Sequence, residues 1–592
     1  MLKLAPLALI FSLSCLYAAP PNTDRRNSEI PNTNTHFQAP SYTTLKAWEE
    51  RASALQKQVA SAAGLFPLPE KTPLNPVIFD RIENKTYSIE KVYFETLPGF
   101  YLAGNLYRPL GRTEKLPAVL MPHGHAEYGR LEHGPLFSVP SRGINMAQQG
   151  YVVFAYDMIG YNDTIQIPHA FGGRKEQLWS FGPLGLQTWN SIRALDFLES
   201  LPDVDSKQLS ITGESGGGTQ TFMLCALDKR PKVSSPVNMI SLIMQGGSPC
   251  ENAPSLRIGT NNVEIAALMA PRPMLMVSAT GDWTRNTPVE EFPAIKSIYA
   301  LYDRAANVET IQIDAPHNYN QPSREAVYRF FAKRILKDPR AMQYEEKRIR
   351  QEKLQDMMVF HHRSLPDNAV DLPKLFSQWV NAAKKQTEAT SDRSILKERL
   401  SVAIGASTPQ KVEAEVSSDG KIVLSRPNAG DRVPGHFTKG TAGKEAVLIV
   451  HPNGSEAARK SSAATNALQE KKAVLTIDAF QIGTGKSSRD ETHPYFLTFN
   501  RSDDANRVQD IVTACAYLKQ SGYSQIRLVG LESAAVWATF AAAVSDIQVT
   551  LDADISRFKG EDDDFLNHFF IPGIQRAGGL LAAKRVLGDN RR

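Results

Sequence analysis

Short apolar runs alternate with amphipathic stretches through residues 43–337, and this alternation predicts the architecture of the region. The segments between the apolar runs, such as LQTWNSIRALDFLESL and GTQTFMLCALD, have the length and pattern of helices. Strands that alternate with helices predict an α/β fold, in which a mostly parallel sheet has helices on both faces. The runs predicted as strands are PAVLMPHGH, YVVFAYDMIG, KQLSITGES, VNMISLIMQGG, RPMLMVSATGD and VETIQIDAPHN.

Two predicted elements precede the first buried strand. Residues 45–65 have the apolar spacing of an amphipathic helix. Residues 85–109 alternate apolar and polar positions on both sides of Pro98-Gly99, which is the pattern of an antiparallel hairpin. The region therefore begins with a helix and a hairpin before strands and helices alternate.

The order of elements repeats in the last third of the chain. EAVLIVHPNG resembles PAVLMPHGH, KAVLTIDAFQIG resembles YVVFAYDMIG, and QIRLVGLESAAVW resembles QLSITGESGGGTQ. This match in element order predicts an ancient internal duplication, with the second copy over residues 404–592. Residues 338–403 are charged, most densely in EEKRIRQEKLQ, and are predicted to form a helical connector.

The N-terminus has the pattern of a targeting signal. An apolar run follows Lys3 and ends before small residues, as in a secretory signal peptide over residues 1–19. A lipoprotein anchor at Cys15 is the alternative. Residues 20–42 are rich in Pro, Asn and Thr and are predicted to form a flexible leader. The protein is expected to be secreted or periplasmic, and no other apolar run is long enough to span a bilayer.

Composition narrows the classes of partner. A chain of 592 residues exceeds what one hydrophobic core holds, so two or three domains are expected. Net charge is +5 without a basic block interleaved with aromatics, which argues against a nucleic-acid partner. Cys225, Cys250 and Cys515 are too few for a disulfide scaffold, and the first two either pair or remain buried thiols.

The stretch Gly213-Glu214-Ser215-Gly216-Gly217 fits the G-x-S-x-G nucleophile elbow, with a strand before it and a helix after it. A serine on such a turn is strained, and its neighbours must lack a Cβ so that the backbones can pass. The turn lifts the hydroxyl to the carboxyl edge of the sheet, where open α/β folds bind ligands. We therefore predict that Ser215 is a nucleophile.

A nucleophilic serine needs a base and an acid that orients the base. His317 follows the last predicted strand, and Asp282 follows the strand before it. The chain order of serine, aspartate and histidine is that of α/β-hydrolases. Asp314 is a rival acid, but it lies on the same strand end as His317.

An oxyanion needs two preorganised N–H donors. One donor is expected to be the amide of Gly216, directly after the nucleophile. The other is expected from the loop His123-Gly124-His125, where we favour the amide of His125 over that of Gly124. This chemistry needs neither a metal nor an organic cofactor, and none is predicted.

The motifs PHGH, GESGGG, TGDWT and APHN, in this order and spacing, resemble those of secreted bacterial α/β-hydrolases of the acetyl xylan esterase-like group. The resemblance extends over residues 45–335. It implies an α/β-hydrolase fold in which Ser215, Asp282 and His317 form the catalytic triad and the HG loop forms part of the oxyanion hole. It also implies an acylated carbohydrate as substrate, acetylated plant polysaccharide in particular.

Long segments over the sheet edge are expected to shape the substrate pocket. HAEYGRLEHGP contains His133, QIPHAFGGRKEQLWSFGPLG contains Trp179, and Trp283 and Arg285 follow the predicted acid. Aromatic rings near such a site either stack on sugar rings or pack a lid over the site. Both interpretations stay open for these residues.

Ser533, in the second copy, is predicted to be inactive. Aligning its ESA with the ESG of the first copy puts Leu531 in the place of Gly213 and alanines where glycines follow the nucleophile. These residues disfavour the strained turn. Only 59 residues (592 − 533) remain after the serine, too few for two further strands with an acid and a histidine. We expect residues 404–592 to form a degenerate, truncated and inactive α/β-hydrolase-like domain.

The predicted activity is that of a secreted serine esterase, which releases acyl groups, in particular acetyl groups, from a carbohydrate through an acyl-enzyme. One alternative is another ester hydrolase, such as a glucuronoyl methylesterase. A second is a peptidase of the prolyl-oligopeptidase type. Such peptidases usually carry a β-propeller before the hydrolase domain, whereas a leader, a helix and a hairpin precede residue 110 here.

Overall fold

The computed structural model describes residues 20–441 and 443–588 of the 592-residue chain. Two sheets organise these residues, one of nine strands and one of seven. The predicted signal peptide over residues 1–19 lies outside the described residues. Within the two described ranges, no helix combines the length and the apolar character that a bilayer crossing needs.

The first sheet has the spatial strand order β1-β2-β3-β5-β4-β6-β7-β8-β9. The first three links of this order are antiparallel and the other five are parallel, which confirms the predicted α/β architecture. The predicted hairpin is formed by the second and third strands. The strands are β1 Val77–Glu83, β2 Tyr87–Leu97, β3 Phe100–Pro109, β4 Leu116–Pro122, β5 Val152–Tyr156, β6 Val204–Glu214, β7 Pro231–Val237, β8 Met274–Gly281 and β9 Val308–Pro316.

Both faces of this sheet are buried under helices. In β4, Ala118 and Leu120 belong to one apolar cluster, and Val119 and Met121 belong to another on the opposite face. A strand buried on both sides has no polar alternation, which explains why the central strands are continuous apolar runs. The helices up to residue 331 are α1 Arg25–Ser28, α2 Leu45–Ala62, α3 Val139–Gln149, α4 Arg174–Leu178, α5 Pro183–Ser200, α6 Gly216–Leu227, α7 Asn262–Ala267, α8 Glu291–Leu301 and α9 Gln321–Phe331.

The second sheet has the order β10-β11-β12-β14-β13-β15-β16. Its first three links are antiparallel and its last three are parallel. The strands are β10 Glu413–Val416, β11 Lys421–Ser425, β12 Val433–Thr438, β13 Glu445–Val450, β14 Ala473–Ile477, β15 Gln525–Gly530 and β16 Thr550–Ala553. The later helices are α10 Leu354–Met357, α11 Leu372–Ala389, α12 Arg393–Ile404, α13 Ser455–Arg459, α14 Ser462–Gln469, α15 Phe496–Phe499, α16 Asp503–Gln520, α17 Ala534–Val544, α18 Asp562–His568 and α19 Gly579–Leu587.

The second sheet repeats the first seven strands of the first sheet in order and direction. Taken one by one, β10 to β16 occupy the positions of β1 to β7. Strands equivalent to β8 and β9 do not occur in the described part of the second copy. The shared topology is what an internal duplication would leave.

The prediction of a strand at VNMISLIMQGG is wrong, because the strand in this region, β7, ends at the first residue of that segment. Ser234 and Ser235 are buried in β7, and the Ser235 hydroxyl donates to the Leu275 carbonyl oxygen at 3.1 Å. Because hydrogen-bonded serines replace apolar residues in this strand, an apolar-run criterion does not detect it. The chain then turns at Asn238, whose φ is 50°.

The leader predicted to be flexible differs from the structure, in which residues 20–42 are attached by specific contacts. The Arg26 guanidinium lies 2.7 Å from the carboxylate of Asp510, whose side chain is fully buried. The Phe37 N–H donates to the Leu242 carbonyl oxygen at 2.9 Å. The ion pair joins residues 484 positions apart, so local composition does not predict it.

The predicted helical connector differs from the structure in its first half. The charged segment EEKRIRQEKLQ lies mostly outside helices, and its Glu346 carboxylate accepts hydrogen bonds from the Arg324 guanidinium at 2.6 Å. The second half contains α11 and α12, and α12 packs against both α2 and α19. The connector is therefore attached to both halves of the molecule.

Cys225, Cys250 and Cys515 are buried free thiols. Of the two alternatives for Cys225 and Cys250, the structure has the unpaired one. Burial raises the pKa of Cys225 to about 11 and that of Cys515 to about 12, so both thiols are protonated at neutral pH.

Candidate active site

The predicted elbow lies between β6 and α6. Ser215 has φ 55° and ψ −120°, in the region of positive φ that side chains other than glycine rarely adopt. A Cβ on Gly213 would lie 2.5 Å from the Pro122 carbonyl oxygen, and one on Gly217 would lie 2.4 Å from the same atom. The backbones of β4, β6 and α6 therefore cross where no side chain fits, as the G-x-S-x-G pattern requires.

Two hydrogen bonds hold the elbow close to the loop that contains His317. The Ser215 N–H donates to the Val237 carbonyl oxygen at 3.1 Å. The side-chain amide of the next residue, Asn238, donates to the Asn318 carbonyl oxygen at 2.8 Å. The carboxyl end of β7 thus connects the serine turn to the residue after the histidine.

His317 is paired with the predicted acid. Its Nδ1 atom lies 2.8 Å from Asp282 Oδ2, and Asp282 Oδ1 accepts from the amide and the hydroxyl of Thr284 at 2.7 and 2.5 Å. His317 Nε2 is buried and has no hydrogen-bond partner in the described part of the chain. Asp314, the rival acid, is exposed and accepts from the Thr280 hydroxyl at 2.6 Å.

The HG loop has a fixed orientation because His123 holds it. His123 Nε2 accepts from the Met158 N–H at 2.9 Å, so Nδ1 is the protonated nitrogen and donates to the Gly124 carbonyl oxygen at 2.7 Å. Burial lowers the pKa of His123 to about 3, so the ring stays neutral. Since the C=O and N–H of a trans peptide point in opposite directions, the His125 N–H points away from His123.

Gly124 is the other oxyanion donor considered in this loop. Its N–H donates to Glu214 Oε1 at 3.2 Å and is therefore engaged in a structural hydrogen bond. Glu214 is buried and pairs with the Arg142 guanidinium at 2.7 Å. A Cβ on Gly124 would lie 3.1 Å from Ser215 Cβ, which places this loop against the nucleophile. Of the two loop amides considered, that of Gly124 is therefore already engaged.

Three side chains that the sequence analysis did not assign to the site, Cys250, His169 and Glu251, lie beside the elbow. A Cβ on Gly216 would lie 2.7 Å from His125 Cε1, so the His125 ring covers this glycine. His125 Nε2 lies 3.0 Å from Cys250 Sγ, and the His169 ring centre lies 5.2 Å from that of His125. His125 Nδ1 lies 3.9 Å from Glu251 Oε1. Loops distant in sequence bring Cys250, His169 and Glu251 together, and no spacing rule identifies such a group.

The four predicted pocket residues have different places. The Trp283 ring centre lies 4.4 Å from that of His317, so Trp283 borders the site. Arg285 is exposed and reaches back to the Asp282 carbonyl oxygen at 3.4 Å. His133 is exposed and bonded to Ser138, in the same loop as Phe137, whose ring centre lies 6.0 Å from that of His317.

Trp179 is buried away from this group. Its indole N–H donates to Asp562 at 3.0 Å, and its carbonyl oxygen accepts from the Trp379 indole at 3.0 Å. Both partners belong to later parts of the chain. Trp179 therefore packs the two halves of the molecule together, in line with the packing interpretation rather than with sugar stacking.

A cavity of about 350 Å³ lies between residues of the two halves. The Tyr495 hydroxyl, from the second half, donates to the Gly247 carbonyl oxygen at 3.4 Å. Pro249, which lines the cavity, directly precedes Cys250. The cavity is thus adjacent to the loop that reaches His125. Its lining includes the aromatic residues Phe171, Phe181, Tyr495 and Phe496.

The second copy has a different residue at the elbow position, and the alignment that puts Ser533 there is wrong by one residue. In the sheet registers, Leu120 pairs with Ile211 and the corresponding Leu448 pairs with Leu528. Counting two residues onward places Gly530 at the position of Gly213, and counting four places Glu532 at that of Ser215. Accordingly, Glu532 has the positive φ, 50°, whereas Ser533 is right-handed helical at φ −66° and ψ −21°.

Known proteins resemble the first half of the chain. A family model described as acetyl xylan esterase (AXE1) matches residues 68–239. A curated protein of Bacillus subtilis (strain 168), "Putative hydrolase YtaP", is 30% identical over 254 residues, which are 40% of this chain and 84% of that protein. Ser215 and the HG loop lie within the matched residues 68–239, and Asp282 and His317 lie beyond them.

Two solved structures are also similar. "Methylesterase BT1017" is 30% identical and superposes with a TM-score of 0.49, covering 59% of this chain and 78% of its own. The acetyl xylan esterase from Paenibacillus sp. R4 is 20% identical with a TM-score of 0.34, covering 50% of this chain and 97% of its own.

Glycine usually lowers the stability of a folded protein relative to alanine, and the strained conformation of Ser215 predicts the opposite at this position. We expect Ser215→Gly to be more stable than Ser215→Ala by about 1 kcal/mol, because glycine adopts positive φ without strain. Ser297, exposed in the interior of α8, is the matched control, and there glycine should be less stable than alanine by about 0.5–1 kcal/mol. Chemical unfolding of the four variants measures both differences, and the same sign at both positions would contradict the strained elbow.

Proposed function

The chain belongs to the acetyl xylan esterase-like carboxylic ester hydrolases, and from this premise we propose that it removes acyl groups, in particular acetyl groups, from a carbohydrate by serine catalysis. The signal pattern over residues 1–19 supports a secreted or periplasmic site of action. Polymeric carbohydrate outside the cytoplasm is a substrate to which such an enzyme would have access.

The proposed reaction has two steps. Ser215 Oγ attacks the acyl carbon while His317 Nε2 takes the hydroxyl proton, and the sugar oxygen leaves with that proton. Water then attacks the acyl-enzyme, with His317 acting as base, and the carboxylic acid and free serine are released. Asp282 holds the imidazole in the tautomer with Nδ1 protonated and stabilises the imidazolium that forms.

The His317–Asp282 pair is the observation that carries the proposal. The bond of 2.8 Å occupies Nδ1, so the lone pair is on Nε2, which has no hydrogen-bond partner among the described residues and is available to accept a proton. The amides of Gly216 and His125 are the proposed oxyanion donors. His123 supports the second donor because it fixes the peptide between Gly124 and His125.

The aromatic cavity supports a carbohydrate as the alcohol part of the ester substrate. Phe171 and Tyr495, both partly exposed, offer ring faces of the kind on which sugars stack, next to the loop that contains Cys250. Because Tyr495 belongs to the second half, the second copy contributes to substrate binding in this proposal. We propose that the second copy is itself inactive, since Glu532 replaces the nucleophile.

Acetate release from acetylated xylan tests the function. We expect release by the wild type and by Ser533→Ala at equal rates, and a loss of at least about 10⁴-fold in Ser215→Ala. Ser533→Ala is the matched control because that serine lies outside the proposed machinery.

The substrates used in parallel distinguish the alternatives. Hydrolysis of p-nitrophenyl acetate without release from xylan would keep the serine mechanism and contradict xylan as substrate. Methanol release from a methyl glucuronate ester, without acetate release, would favour a methylesterase instead. Cleavage of peptide amides would favour the peptidase.

The acid can be tested by a pair of isosteric changes. Asp282→Asn is expected to lower kcat by about 10⁴-fold, because the amide favours the wrong imidazole tautomer. Asp314→Asn should leave kcat unchanged, since Asp314 is exposed and bonded to Thr280. Steady-state kinetics with p-nitrophenyl acetate measure both, and a larger loss in the second variant would assign the acid to Asp314.

A further inference from the structure

We propose that His125, His169 and Cys250 form a binding site for Zn²⁺ beside the nucleophile elbow. Their ligand atoms all lie within 4.8 Å of one another. This inference concerns a ligand that the serine mechanism does not need, so it goes beyond the proposed function. It depends on the three side chains and their surroundings alone.

The distances suit a tetrahedral metal after a small adjustment. His125 Nε2 lies 3.0 Å from Cys250 Sγ. In a tetrahedral zinc site with Zn–S near 2.3 Å and Zn–N near 2.0–2.1 Å, these two ligand atoms stand about 3.5 Å apart. Metal entry therefore replaces the present contact and separates the two atoms by about half an ångström, which a rotation of the partly exposed His125 ring would provide.

His169 has a hydrogen-bond partner that orients a metal ligand, and a carboxylate lies near His125. His169 Nδ1 lies 2.7 Å from the Ile159 carbonyl oxygen and donates to it, so the lone pair is on Nε2. His125 Nδ1 lies 3.9 Å from the Glu251 carboxylate, and Nε2 faces the thiol. A backbone carbonyl or a carboxylate behind a ligating imidazole is the usual outer-shell arrangement in metal sites.

A further oxygen borders the space between the ligand atoms. Ser248 Oγ lies 3.3 Å from Cys250 Sγ and 3.5 Å from His169 Nε2. Glu251, which accepts from the amides of Gly247 and Ser248 at 2.8 and 3.1 Å, fixes this loop. Three protein ligands leave one tetrahedral position for a solvent oxygen, as in open zinc sites.

The donor set selects the class of metal. Two imidazoles and one thiolate favour Zn²⁺ and similar borderline cations over Mg²⁺ or Ca²⁺, which prefer oxygen ligands. Formation of the Zn–S bond releases the Cys250 proton to solvent, so the bound site has a net charge of +1. The Glu251 carboxylate close to His125 offsets this charge.

The site has a structural connection to the elbow. The His125 ring covers Gly216, so a metal on Nε2 would hold the ring, and the loop that precedes it, in one orientation. The cation would thus fix the His125 side chain next to the atoms that face the nucleophile, without taking part in the serine chemistry.

Spectroscopic titration with Co²⁺ tests the site directly. Metal-free full-length protein without an affinity tag is titrated with Co²⁺, and Zn²⁺ is then used to displace it. We expect one equivalent to give a thiolate-to-Co²⁺ charge-transfer band and tetrahedral d–d bands, and Zn²⁺ to abolish them. His169→Ala should weaken binding by more than the 10–100-fold that loss of an outer-shell partner costs.

Cysteine variants provide the matched controls. Cys250→Ala should lose the charge-transfer band, whereas Cys225→Ala, which removes another buried free thiol, should keep it. If Cys250→Ala does not fold, His169→Ala, a change in a partly exposed loop residue, decides the question. A Co²⁺ complex without a thiolate band, or binding that is unchanged in His169→Ala, would overturn the proposal. Neither result depends on ester hydrolysis, so failure here would leave the esterase proposal intact.

Discussion

A Cβ on Gly217 would come within 2.4 Å of the Pro122 carbonyl oxygen, and this close crossing of two backbones sets the position of everything around it. The crossing packs the start of α6 against the end of β4. The turn between β6 and α6 passes through this narrow space, and Ser215 takes a positive φ directly after the carboxyl end of β6. The HG loop, which follows β4, is thereby brought against the nucleophile.

A buried ion pair and the neutral imidazole of His123 then fix the elbow and the HG loop against each other. The Glu214–Arg142 ion pair lies just behind the elbow and engages the Gly124 N–H. His123 is kept neutral by burial and holds the Gly124 carbonyl oxygen, so the His125 N–H of the same peptide points away from His123. Removing one member of a buried ion pair is costly, so the rigidity of this group is built into the fold.

The central strands and the elbow were predictable because each has a recognisable local sequence pattern. Strands buried on two faces are apolar runs, and the elbow needs glycines at fixed positions. β7 escaped prediction because its serines satisfy their hydrogen bonds inside the sheet. Cys250 and His169 escaped because only the folded loops bring them to His125. In the second copy, strand register rather than letter matching identified Glu532 as the elbow residue.

An organophosphonate that mimics the tetrahedral intermediate tests whether the elbow holds one activated serine. The protein is labelled, digested and mapped by mass spectrometry, with His317→Ala in parallel. We expect a single adduct on Ser215, none on Ser533, and much slower labelling in the variant. An unmodified Ser215 in protein that still hydrolyses esters, or an adduct on Ser533, would contradict it.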